Sequence, residues 1–173
     1  MENLIPKFKN LKGFIFDIDG VMTNGQVLVN EEGHMLRAVN IKDGFAVQHA
    51  VKLGYLVAIV SGGKSVGMEL RFKGLGVEQI FMGQMHKVEA VTEIIKNSGF
   101  SAEEFLYMGD DMPDIPVLKM VGIAACPKDA ASDVLDICDY ISPISGGDGC
   151  VRDVIERTLK IQQTWNSDSI HHW

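Results

Sequence analysis

Four short apolar runs punctuate the chain: Gly13-Phe14-Ile15-Phe16, Tyr55-Leu56-Val57-Ala58-Ile59-Val60, Phe105-Leu106-Tyr107-Met108 and Val121-Gly122-Ile123-Ala124-Ala125. Their hydrophobicity is continuous rather than alternating, the pattern of parallel strands covered on both faces. Glu78 to Met82 and Asp139 to Ile141 predict shorter strands near the edges. Between the runs lie segments with helical character: Asp43 to Leu53, Lys64 to Lys73, His86 to Asn97, Asp111 to Met120, Ala130 to Ile137 and Asp148 to Gln163. In the first of these Asp43 is placed to act as the cap, with Phe45, Val47, Ala50 and Val51 inward, and Gly99 is a stop signal for the third.

One stretch departs from this alternation. Gln26 to Asn30 and His34 to Val39 flank Glu31-Glu32-Gly33, the signature of a β-hairpin, directly after the acidic loop of the first strand. An insertion there, about residues 23–40, would overhang whatever site the loop builds. The expected fold is therefore α/β: a doubly wound, mainly parallel, Rossmann-like sheet with a hairpin insertion after its first strand. At 173 residues the chain fits one domain spanning residues 1–173, without repeats or a flexible linker.

Composition narrows the class. A hydrophobic content of 46% and 23% charged residues suit a soluble globular protein with a sizeable core. A net charge of -7 argues against a nucleic-acid partner, whose site would be basic. No run is long enough to cross a membrane, and Met1 to Asn10 lacks the apolar centre of a secretory signal, so a cytoplasmic location is expected. Cys126, Cys138 and Cys150 form no CxxC pair and read as free thiols in a reducing compartment. The tail Ile170-His171-His172-Trp173 reads as a frayed end.

In an open parallel sheet, ligands bind beyond the carboxyl ends of the strands. The first strand delivers Asp17 and Asp19 to that edge, the second Ser61 and Gly62, and a later one Asp110, Asp111 and Asp114. Lys87 opens the helix after a short third strand. These groups suit phosphoryl transfer. Carboxylates hold Mg²⁺, a hard cation that offsets repulsion between a carboxylate nucleophile and an anionic phosphate. Ser61, the backbone N–H that follows it and Lys87 can stabilise the phosphoryl oxygens. Asp19 is spaced to protonate the leaving oxygen and then activate water. A lone DxDG is usually a turn, but each group here follows its own expected strand. A phospho-accepting receiver domain, the competing class, carries its acidic pair first and its phosphorylated aspartate later, and lacks an acid/base two residues beyond it. An inactive regulatory homologue is the other alternative, although no expected catalytic position is missing.

The motifs Phe-Asp-Ile-Asp-Gly-Val, Val-Ser-Gly, Lys87 and Met-Gly-Asp-Asp-Met-Pro-Asp resemble the four motifs of the haloacid dehalogenase superfamily phosphatases, across about Leu11 to Lys160. The resemblance implies Asp17 as nucleophile, an aspartyl-phosphate, Asp19 as general acid/base, and Mg²⁺ held by Asp17, the Asp19 main-chain oxygen and Asp110. Asp111 and Asp114 would orient Lys87. With room for only a hairpin after motif one, the chain is similar to the capless subgroup typified by 3-deoxy-D-manno-octulosonate 8-phosphate phosphatase. That subgroup implies a sugar phosphate substrate, a role in lipopolysaccharide sugar synthesis, and a homotetramer in which a neighbour closes each active site.

The same resemblance makes Asn40-Ile41-Lys42-Asp43-Gly44 a substrate loop and assigns Arg71 to the sugar acid's carboxylate, work that suits its planar fork. The chain departs from the pattern at Gly63 and Gln48, where family members carry basic residues. Phosphatases of nine-carbon sugar acid 9-phosphates carry charge at the positions of Gly63 and Gly74. The two glycines favour the eight-carbon substrate and leave the nine-carbon one as the alternative.

Overall fold

The computed structural model describes residues 4–166, so the tail Ile170–Trp173 lies outside the described residues. Helix α1 (Ile5–Asn10) leads into β1 (Gly13–Phe16), a tight coil, and the hairpin strands β2 (Leu28–Val29) and β3 (Met35–Leu36). Then follow α2 (Ile41–Lys52), β4 (Leu56–Ser61), α3 (Val66–Gly74), β5 (Gln79–Met82) and α4 (Lys87–Ser98). The remainder is β6 (Phe105–Met108), α5 (Ile115–Leu118), β7 (Ile123–Cys126), α6 (Ser132–Leu135), β8 (Tyr140–Ile141) and α7 (Cys150–Ile161).

Six strands form one sheet in the order β5-β4-β1-β6-β7-β8, every neighbouring pair parallel, and β2 and β3 pair antiparallel apart from it. The chain winds outward from β1 through β4 to β5, then returns to the other side of β1 at β6. That reversal opens a crevice at the carboxyl ends of β1 and β6. The pleat divides each apolar run between two cores. Phe14, Phe16, Ile59, Leu106 and Met108 face α1, α2, α3 and α7, while Ile15, Ala58, Val60 and Tyr107 face α4, α5 and α6. Both faces are covered, which is why the runs read as uninterrupted hydrophobicity. Among the described residues no helix is long and apolar enough to cross a membrane.

Three local expectations are corrected. Helix α1 went unread because six residues give too little periodicity, yet Phe8 sits in the core. The segment Asp111–Met120 holds prolines at 113 and 116 and breaks into a 3₁₀ turn, Met112–Asp114, and the four-residue α5. The cap of α2 is Asn40, not Asp43: the Asn40 side chain accepts the Lys42 N–H at 2.8 Å and donates to the Gly147 carbonyl at 3.2 Å.

Asp43 instead serves the other end of the interface. Gly149, ahead of α7, has no side chain with which to cap that helix. Asp43, only 2% exposed, accepts the Arg152 N–H at 2.7 Å from across the contact between α2 and α7. Its second oxygen has no hydrogen-bond partner among the described residues. Burial, outweighing the Arg152 N–H and the Arg152 charge, lifts its pKa from 3.8 to about 6. The folded protein therefore binds this proton more tightly than the unfolded chain, and the group's contribution to stability falls as pH rises from about 4 to about 6. Asp43→Asn, neutral and still able to cap, should flatten that fall by up to about 3 kcal/mol, at about 1.4 kcal/mol per pKa unit. Urea melts of both proteins between pH 4 and 6.5 check it, and parallel pH curves would contradict a desolvated Asp43.

Candidate active site

The crevice at β1 and β6 is a cleft of about 390 Å³ lined by Asp17, Asp19, Ser61, Gly62, Lys87, Asp110 and Asp114, with Gly63 and Met85 at the same opening. Parallel pairing sets its geometry. Phe16 is in register with Met108, and the Asp17 N–H continues the ladder to the Met108 carbonyl at 3.0 Å, so the residues leaving both strands emerge side by side. Ser61 ends β4, the neighbour on the other flank, and accepts the Gly63 N–H at 3.2 Å.

After Asp17 the chain coils tightly over Ile18–Met22, closed by the Thr23 N–H to the Ile18 carbonyl at 3.0 Å. Gly20 takes a φ of 85° there, and a Cβ on it would lie 1.9 Å from an Asp110 carboxylate oxygen. Glycine is needed both for the turn and for the approach of Asp110.

Lys87 is buried, and its Nζ donates to Asp17 Oδ2 at 2.8 Å and to Asp114 Oδ1 at 2.7 Å. Burial alone would lower its pKa, but Asp17 and Asp114 together outweigh that and hold the ammonium above its ordinary value. Asp114 is fully buried and committed: Oδ1 also accepts the Tyr107 hydroxyl, and Oδ2 accepts the N–H groups of Asp110 and Asp111 at 3.0 and 3.4 Å. Burial first, then the Asp114 charge, raises Asp17 to about 6. Burial first, then the charges of Asp17 and Asp114, raises Asp110 to about 7. One lysine does not neutralise this group of carboxylates.

That imbalance, in an all-oxygen donor set, fits a hard divalent cation. Asp17, Asp110 and Asp114 each bring an oxygen within 4.8 Å of the others. Asp114 carries two protein donors on each oxygen, Asp17 only one on each, so Asp17 and Asp110 keep more lone-pair capacity for such an ion. The sequence-derived substrate loop lies elsewhere in the same chain. Asn40, Asp43, Gly44 and Arg71 line a second, narrow crevice, where a Cβ on Gly44 would lie 2.6 Å from the Arg71 guanidinium. Lys42 lines a groove along α7, and Ile41 is exposed.

Two residues beside the site escaped the sequence. Tyr107 reads as one more apolar strand position, and only its hydroxyl contact with Asp114 reveals a polar task. Arg37, at the end of the hairpin, grips Asp19 with Nε on Oδ1 at 2.7 Å and Nη2 on Oδ2 at 2.9 Å. A lone cation in Met35-Leu36-Arg37-Ala38-Val39 was the available signal.

With this arrangement in view, similarity to known proteins is specific. Residues 73–153 match a haloacid dehalogenase-like hydrolase family model. The 3-deoxy-D-manno-octulosonate 8-phosphate phosphatase KdsC of Escherichia coli (strain K12) is 32% identical over 160 residues, 92% of this chain and 85% of that protein. The crystal structure of the same-named phosphatase from Yersinia pestis superposes with a TM-score of 0.94 at 31% identity, covering 96% of this chain and 90% of that one. Its counterpart from Moraxella catarrhalis, in complex with a magnesium ion, a phosphate ion and a KDO molecule, gives 0.92 at 32% identity, covering 96% and 95%. The protein is a haloacid dehalogenase-like hydrolase, a phosphatase of the capless class whose only insertion after β1 is a hairpin. Within that class the chain belongs to the 3-deoxy-D-manno-octulosonate 8-phosphate phosphatase family.

A cation held by Asp17 and Asp110 stabilises the folded state in proportion to ln(1 + [L]/Kd), about 2.7 kcal/mol at a hundredfold excess over Kd. Mg²⁺ should therefore raise the melting temperature of the wild type, and Asp110→Asn should abolish most of that rise. Differential scanning fluorimetry with Mg²⁺ and with chelator reads the effect; an undiminished shift in the variant would remove Asp110 from the site.

Proposed function

We propose that the protein hydrolyses the phosphomonoester of 3-deoxy-D-manno-octulosonate 8-phosphate, releasing the free sugar acid and inorganic phosphate. The observation that carries the reaction class is the buried Lys87 bridging Asp17 and Asp114 beside Asp19, Ser61 and Asp110 in one cleft. Likeness to the Moraxella phosphatase supports the sugar acid.

In this mechanism Asp17 attacks phosphorus, the bond to the leaving oxygen breaks, and Asp19 delivers a proton to that oxygen. Asp19 then takes a proton from water, whose oxygen attacks the aspartyl-phosphate and frees phosphate and Asp17. The Ile18 N–H at 2.7 Å from Oδ1 and Lys87 on Oδ2 orient the nucleophile. The Ser61 hydroxyl, the Gly62 N–H and Lys87, all lining the cleft, would donate to the phosphoryl oxygens. Mg²⁺ bound by Asp17, Asp110 and the Asp19 main-chain oxygen would lower the repulsion between Asp17 and the phosphate.

Substrate recognition on this reading needs a second subunit. Within one chain Arg71 and residues 40–44 lie away from the catalytic cleft, while Leu28, Val29, Met35 and Leu36 of the hairpin are 69%, 59%, 57% and 55% exposed. A homotetramer that buries these apolar positions and brings a neighbour's polar groups to each cleft accounts for both. A monomeric mass by light scattering at assay concentration would count against it.

Asp17→Asn should cut turnover by about a thousandfold or more, the scale of losing a covalent nucleophile. A phosphate-release panel across sugar phosphates should rank the eight-carbon acid above its nine-carbon analogue and above neutral sugar phosphates. The reverse order for the two acids would establish the nine-carbon alternative.

A further inference from the structure

Arg37 has no place in the mechanism so far, yet its side chain is 7% exposed and its guanidinium meets the Asp19 carboxylate edge to edge, at 2.7 and 2.9 Å. Its remaining nitrogen, Nη1, donates to the Met35 carbonyl at 3.3 Å within its own hairpin. Asp19 lines the catalytic cleft and Arg37 does not, so the guanidinium stands behind the carboxylate. Among the described residues no other side chain hydrogen-bonds to that carboxylate. The space is kept open by Gly63, where a Cβ would lie 3.1 Å from Arg37 Nη2 and 3.2 Å from Asp19 Oδ2.

An aspartate's terminal torsion is soft, so a carboxylate at the mouth of a cleft sweeps a range of orientations. A two-point fork fixes the carboxylate plane as well as its position, which a single charge does not. Each oxygen keeps a second lone pair that the fork does not use, and Asp19 lines the cleft. Proton delivery depends on that aim, because a general acid works only within hydrogen-bond reach of its target. We infer that Arg37 is a positioning residue for the acid–base step: it holds the plane of Asp19 toward the leaving oxygen and fastens that aim to the hairpin. The inference rests on Asp19 being the acid/base proposed above.

Leaving-group dependence separates aim from general structure. A sugar alkoxide needs a proton to depart, whereas para-nitrophenolate departs without one. With Mg²⁺ present, Arg37→Met and Arg37→Gln should lower the ratio of kcat for 3-deoxy-D-manno-octulosonate 8-phosphate to kcat for para-nitrophenyl phosphate by about tenfold or more, within the range attributed to general acids. Arg37→Lys, with charge but no fork, should recover part of the ratio. An unchanged ratio in both neutral variants, equal losses on the two substrates, or an effect confined to KM would each overturn the inference. Asp19→Asn is measured beside them. If it leaves the ratio intact, the acid/base assignment fails; if it lowers the ratio while the Arg37 variants do not, only the positioning role fails. A second readout needs no turnover: in metal-free protein, the melting shifts of Arg37→Met and Asp19→Asn should not add in the double variant. Additive shifts would mean that the fork is absent in solution.

Discussion

The active centre depends on one buried ammonium group. Parallel pairing of β1 and β6 delivers Asp17 and Asp110 to the same edge, and the turn after β6 folds Asp114 back beneath them. Carboxylates so close and so far out of water repel one another, and Asp17 and Asp110 resist ionisation. Lys87 Nζ bridges Asp17 and Asp114, and the Tyr107 hydroxyl and two backbone N–H groups hold Asp114 in place. Burial first, and then the neighbouring carboxylates that Lys87 only partly offsets, raises Asp17 and Asp110. A divalent cation and a dianionic phosphate are the partners such a centre accommodates, the first by balancing the carboxylates and the second by balancing the cation.

The backbone around this centre is shaped by close approach. Gly20 lets the coil after β1 turn with positive φ while Asp110 packs against it, and Gly109, after β6, allows close approach alone, since a Cβ there would lie 2.3 Å from the Asp114 carboxyl carbon. The hairpin grows out of that coil and is tied back to it by the fork between Arg37 and Asp19. The hairpin is therefore in direct contact with a carboxylate that lines the cleft. Asp43 does comparable work further off, replacing the side chain that Gly149 lacks at the start of α7.

Much of this was legible in the sequence, for physical reasons that differ by residue. Continuous apolar runs identify β1, β4, β6 and β7 because a strand covered on both faces has no polar side to show. Asp17, Ser61, Lys87 and Asp110 could be grouped without coordinates because every strand in the sheet points the same way and their loops share one edge. Asp111 to Met120 reads as one helix, and the 3₁₀ turn and short α5 found there follow from two prolines whose effect the apolar pattern hides.

The sequence by itself determined the order of strands and helices, the class of chemistry and the residues at the head of each motif, since these follow from local periodicity and from which side chains can bind metal and phosphate. Only the tertiary structure decided how those side chains divide their contacts. It gave Asp114 wholly to Lys87, Tyr107 and the backbone, moved Asp43 from capping its own helix to capping another, set Arg71 in a crevice apart from Asp17, and placed Arg37 behind Asp19. The reason is common to all four. A hydrogen bond between residues far apart in the chain depends on distance and direction in the folded molecule, and neither is encoded in the spacing of residues along one strand or helix.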